Sequence, residues 1–136
     1  MTTDIKLIYQ GLATEIGSVL TGLNVYPKRP LTITAPAMIF TLDHIDYDTS
    51  NGTDDLMILG TLFTAFTSDD NEYALYDYMQ AKGPLSVKEA CEHIDETLGG
   101  VADWTVVEGV RAPGIATYGT GTYYAAAFEI LVGTQQ

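Results

Sequence analysis

The chain is poor in the groups that most chemistry needs. It has one cysteine, Cys91, so no intrachain disulfide can form, which fits a reducing cytoplasm. It has two histidines, His44 and His93. Two lone histidines and one cysteine do not supply the paired ligands at each end that a zinc site needs. Basic residues are scarce: six against 18 acids, for a net charge of −12. That balance argues against a nucleic-acid-binding surface, which needs clustered cations to displace counterions, and against an anionic membrane partner. No apolar run approaches the roughly 18 residues of a membrane span. The opening MTTDIKLIYQ lacks the basic-then-apolar layout of a secretory signal. Phosphate-binding loops, nucleophile elbows and paired metal motifs are missing. Gly119-Thr120-Gly121 precedes a strand pattern, where a dinucleotide fingerprint would precede a helix. The expectation is a protein that is not an enzyme and holds no cofactor or metal.

What is present is apolar surface. Of 136 residues, 46% are apolar and 10% aromatic, enough for one globular domain over 1–136 that buries roughly two thirds of its unfolded surface. The longest apolar segment is Leu56 to Ser68, LMILGTLFTAFTS. Leu56, Ile58, Leu62 and Phe66 fall on one alternating set; Met57, Leu59, Phe63 and Ala65 fall on the other. A strand apolar on both sets is covered on both faces, which predicts the central strand of a sheet.

Around it, the pattern predicts elements in the order α-β-β-α-α-β-β. Ile5, Ile8, Leu12, Ile16, Val19 and Leu23 form one helical stripe over 4–23, capped by Asp4 or Thr3, weakened at Gly11 and Gly17 and ended by Gly22. Residues 24–36 hold three prolines and read as an extended connector. Residues 37–46 alternate as a strand and pair with the central one in a long hairpin through YDTSNGTDD, with a turn signal at Asn51-Gly52. Asp69 and Glu72 suit a capping box for a second helix reaching Met79. Ser86 and Glu89 suit another for a third helix reaching Leu98. Trp104–Arg111 and Thr122–Val132 read as strands, with Ala112–Gly121 a Gly- and Pro-rich loop between them and Gly133–Gln136 a free tail. The sum is an α+β domain: a mainly antiparallel sheet of about four strands with helices on one face.

Asp46, Asp48, Asp54 and Asp55 surround the hairpin loop. An oxygen-ligand calcium loop starts well with Asp46, Asp48 and Ser50, then fails, because Gly52 is one place late and Met57 stands where glutamate should. The expectation is a solvated tip. Cys91 lies on a helix stripe and reads as core; Glu89, Glu92 and Glu96 read as a solvated face. There are nine tyrosines, and Tyr73, Tyr76, Tyr118, Tyr123 and Tyr124 fall on exposed faces, strand ends or loops, where tyrosine suits a protein interface as well as a half-exposed core. The loops at 47–55 and 112–121 are expected to project and make subunit contacts. Lys28, Arg29 and Arg111, the scarce cations, are candidates to pair with a neighbouring subunit's carboxylates. The second face of the central strand is expected to be buried by a neighbour or by a curled sheet.

Several segments carry a family resemblance: the first helix running into VYPKRP and PAMIF, TSDDNEYALYDYM entering a helix, GPLSVKEACE opening the next, and GTGTYYAAAFEILV at the close. Over residues 5–132 the chain resembles the tail terminator proteins of long-tailed (siphovirus-type) bacteriophages. The resemblance implies a structural virion protein, assembled in the host cytoplasm, that forms a homohexameric ring on the last disc of the tail tube. Such a ring stops tube polymerisation and offers its other side to head-completion proteins, with DNA passing through the lumen unbound. It carries over no fixed functional residues. Two other readings are another head–tail joining protein, such as a head-closure or adaptor component, and a small-ligand-binding or enzymatic α+β domain. A deep pocket with convergent polar groups would favour the last.

Overall fold

The computed structural model describes residues 4–47, 49, 52–67, 69–94 and 97–135. Helix α1, Ile5–Val19, begins where expected: the Asp4 side chain accepts from the Leu7 amide at 3.2 Å. It ends sooner than expected, at Val19. A turn then returns Leu20 and Leu23 to the same core that holds Ile8, Leu12 and Ile16. Gly11 does more than weaken the helix. A Cβ there would sit 2.9 Å from Leu98 Cβ, so its bareness lets α1 close on the 98–101 segment.

The sheet has five strands: β1 (Asn24–Tyr26), β2 (Ala37–Asp46), β3 (Thr53–Ala65), β4 (Trp104–Tyr118) and β5 (Gly121–Gln135). Their spatial order is β1-β2-β3-β5-β4. The domain is α+β, as expected, but the sheet is mixed and has one strand more than the expected four. The extra strand, β1, pairs parallel to β2 from within the Pro-rich connector, Asn24 opposite Ala37. The remaining pairs are antiparallel. The doubly apolar β3 is the central strand.

Two further expectations are corrected. Ala112–Gly121 is not a projecting loop: β4 runs through it to Tyr118 and turns tightly into β5. Bulges between Val107 and Gly109 and between Arg111 and Gly114 absorb its glycines and proline, and Pro113 is tolerated because β4 is an edge strand. Gly133 is likewise in β5, not in a free tail, and its carbonyl accepts from the Asp103 amide at 2.8 Å. Trp104 lies across it so closely that a Cβ would fall 2.1 Å from the indole.

Helix α2 spans Asp69–Tyr78; the capping role expected of the Asp69 side chain falls outside what is described. Helix α3, Val87–Glu89, widens into a π-helical turn over Ala90–Ile94, and a 3₁₀ turn follows over Leu98–Gly100 where a single straight helix was expected. Ser86 does cap α3, accepting from the Glu89 amide at 3.1 Å. The Glu89 carboxylate accepts from Gly83 at 2.8 Å, and the Ser86 amide donates instead to the Gly83 carbonyl.

Helices and sheet enclose the main core, where Leu56, Ile58 and Leu62 of β3 are fully buried with Phe128, Ile130 and Val132 of β5. Phe66, expected on this face, lies beyond the strand end and is 45% exposed. The second face is covered at one end by the chain itself. Ile39, Phe63 and Ala125 form a small cluster there, packed by Tyr26, Ile33, Ala116, Tyr118 and Tyr123. Over the middle of the sheet, cross-strand neighbours Thr41, Leu59 and Glu129 are only half-buried, and Val106 is exposed. The chain itself thus covers one end of this face, and its middle stays partly open.

Candidate assembly interface

The acidic hairpin does not form one projecting cluster. Asp46 and Asp55 are cross-strand partners on β2 and β3, and Asp54 is buried on β3. Asp48 lies outside the described residues, as do Ser50 and Asn51. The connection is tight: the Thr49 amide donates to the Thr53 carbonyl at 3.0 Å, Gly52 donates back to the Thr49 carbonyl at 2.9 Å, and Gly52 takes a φ of +75°. Asp55 accepts from the Thr53 hydroxyl at 2.7 Å. Among the described residues no three histidine, cysteine or acidic side chains gather as metal ligands. His44 sits between two carboxylates, 2.7 Å from Asp43 and 3.5 Å from Asp46. The hydrogen bond to Asp43 raises its pKa above the ordinary 6.5. The His93 side chain lies outside the description.

Of the cations, Arg111 finds its carboxylate within its own chain, 3.0 Å from Glu129, on the bare part of the second face. Arg29 donates to the Thr41 hydroxyl at 2.6 Å, on the stretch of β2 beyond its pairing with β1. Lys28 is exposed and makes no ion pair among the described residues. Tyr118, expected on a loop, is half-buried: its ring packs edge-on against Phe63 at 5.6 Å and its hydroxyl donates to the Pro30 carbonyl. That bond straps the connector across the second face.

Sheet edges decide where another chain can add, because an edge strand presents unpaired backbone groups. The first half of β4 is closed. Lys88 and Glu92 pair at 2.5 Å, and together they occupy Val107: its amide donates to Glu92 at 2.7 Å and its carbonyl accepts from Lys88 at 3.2 Å. Glu92 is thus no solvated-face residue; its contribution is to seal the bulge. Past the second bulge, among the described residues, no strand pairs with the outer side of β4.

A groove of about 300 Å³ opens there between β4 and α2, lined by Leu75, Tyr76, Pro113, Ile115 and Tyr124 with Glu72 at its margin. Exposed apolar side chains surround it: Ile115 at 63%, Tyr73 at 66% and Phe66 at 45%. They are ordered against one another. Phe66 stacks on Tyr124 at 4.8 Å, Tyr73 meets Tyr76 at 6.3 Å, and the Tyr76 hydroxyl donates to Glu72 at 2.9 Å. That bond and the adjacent negative charge raise the Tyr76 pKa. Tyr73, Tyr76 and Tyr124 were visible as interface candidates in the sequence, whereas Ile115 and Phe66 were not, since their exposure depends on where β3 stops and β4 continues.

A larger hollow elsewhere, about 400 Å³, lies beside Val19, Lys82 and Pro84, with Ser86 and Glu89 in its lining. Ser86 caps α3 there, and Glu89 accepts from the Gly83 amide. Cys91 is fully buried, and burial pushes its thiol up to about 12, which keeps it protonated and unreactive. No described helix is long and apolar enough to cross a membrane. Neither the family models nor the curated proteins compared with this chain match it.

Proposed function

We propose that this chain is a structural virion protein, a tail terminator that assembles as a homohexameric ring. The ring caps the tail tube, ends its polymerisation and presents a docking surface to the head-completion proteins. The observation that carries the reading is the unpaired second half of β4 beside a groove rimmed by exposed Phe66, Tyr73 and Ile115. Exposed apolar residues gathered at an open sheet edge suit a permanent protein partner. The sequence resemblance supplies the identity of that partner: further copies of the chain, then the tube and the neck.

On this reading the mechanism is geometric. Subunits close by rotational symmetry, and the finished ring covers the tube end that the next disc would need. The net charge of −12 suits a lumen through which DNA passes without adhering. Mass photometry and negative-stain electron microscopy of the purified protein test the proposal, with a six-fold ring and binding to tail tubes as the expected results. A protein that stays monomeric at high concentration and has no affinity for tubes overturns it.

A further inference from the structure

Leu31 is 93% exposed, far more than any other large apolar residue described. Such exposure is ordinary on a loose loop, but here the backbone is held. The carbonyl of Pro30 accepts from Tyr118, the carbonyl of Leu31 lies 3.2 Å from where a Gly119 Cβ would be, and Arg29 is bonded to Thr41. Prolines at 27 and 30 stiffen the segment further. Leu31 is therefore a pre-positioned apolar knob, whose burial by a partner would cost little ordering entropy. The two residues before Pro30 are Lys28 and Arg29, a third of the chain's six cations.

The groove between α2 and β4 is complementary in both respects. It is apolar within, and α2 (DDNEYALYDY) carries four acids and no base. Glu72 borders the groove and Asp77 is exposed on the same helix. Lys88 and Arg111 are paired with carboxylates of their own chain, whereas Lys6, Lys28 and Lys82 form no ion pair among the described residues and Arg29 is bonded to a neutral hydroxyl, that of Thr41. The knob is fixed to the second face of the sheet through Tyr118, whereas the groove opens on the helix face, formed with Leu75 and Tyr76.

We infer that the Lys28–Leu31 segment of one copy seats in the α2/β4 groove of the next, Leu31 inside and Lys28 and Arg29 against Glu72 and Asp77. This identification of the subunit contact rests on the assembly reading above. Knob and groove are different patches on different faces, so the contact is heterologous and propagates head to tail until rotation closes it.

A charge exchange tests it. Lys28→Glu/Arg29→Glu and Glu72→Lys/Asp77→Lys are prepared separately, and their folding is checked by circular dichroism. Each alone sets like charges across the contact and is expected to lose at least tenfold in assembled fraction by mass photometry, at a concentration where the wild type is assembled. The two mixed in equal amounts are expected to recover assembly, because every contact between unlike variants has opposite charges again. Leu31→Ser, which removes no contact within the chain, is expected to be folded and unassembled. If the single variants and Leu31→Ser assemble like the wild type, or if the mixture stays monomeric, the contact is elsewhere and the ring reading survives. If the wild type itself is monomeric and ignores tail tubes, the ring reading fails and takes this contact with it.

Discussion

The Tyr118 hydroxyl donates to the Pro30 carbonyl, 88 residues earlier in the chain. It joins the end of β4, one edge strand, to the connector that follows β1, the strand at the opposite edge of the sheet. Tyr118→Phe keeps the ring against Phe63 and removes only this strap. The expected loss is about 0.5–1.5 kcal/mol, read as a melting temperature lower by a few degrees. Hydrogen exchange at Leu31–Thr34 is expected to rise, while exchange in β3 is unchanged.

Glu92 accepts from the Val107 amide and balances Lys88 at the same point. Glu92→Ala leaves an amide and an ammonium group short of partners in a half-buried setting. The expected cost is about 1–3 kcal/mol in urea unfolding. The variant also uncovers the first half of β4, so light scattering is expected to show association into larger species than the wild type forms at the same concentration.

The close approach of Trp104 to Gly133 offers an optical test, because Trp104 is the one tryptophan. Gly133→Ala drives a methyl group into the space of the indole, which must move outward. The expected outcome is a destabilisation of about 1–3 kcal/mol, with the fluorescence maximum shifted to the red as the ring meets water. An unshifted spectrum with full stability would show that the indole does not lie across Gly133.

His44 bears on pH dependence. Its folded pKa is raised, first by the hydrogen bond to Asp43 and further by the charge of Asp46. A raised histidine pKa stabilises the fold fully below the unfolded value, and that contribution is lost as pH rises through the folded value. Because the ring is exposed, the effect is small and screened by salt. Proton NMR is expected to place the His44 midpoint above 6.5, and Asp43→Asn is expected to move it back down.

Local signals in the sequence were reliable where one element carries its own explanation. Asp4 and Ser86 cap the helices they precede, and β3, apolar on both alternating sets, lies at the centre of the sheet. Signals failed where a neighbour supplies the reason. Three residues, Asn24–Tyr26, are a strand only because Ala37–Ile39 lie alongside them. Pro113 and Gly114 read as loop residues, yet an edge strand with bulges accommodates both. The groove joins residues 72–76 to 113–124, and neither segment alone implies a concavity. Glu92 looks solvated on a helical wheel and is not, because the wheel does not include Val107.

The division of β4 has a consequence for how far strand pairing can spread. Lys88 and Glu92 hold the backbone at Val107, the second bulge interrupts the ladder before Gly114, and Pro113 has no amide to offer. Uninterrupted edge remains only over Gly114–Tyr118, about 17 Å at strand spacing. That is shorter than the six- or seven-residue segments that stack into cross-β fibrils. Backbone pairing at this edge can help seat one partner but cannot template an endless stack. Growth by this route is therefore limited by the length of the strand itself, independently of any symmetry that closes the assembly.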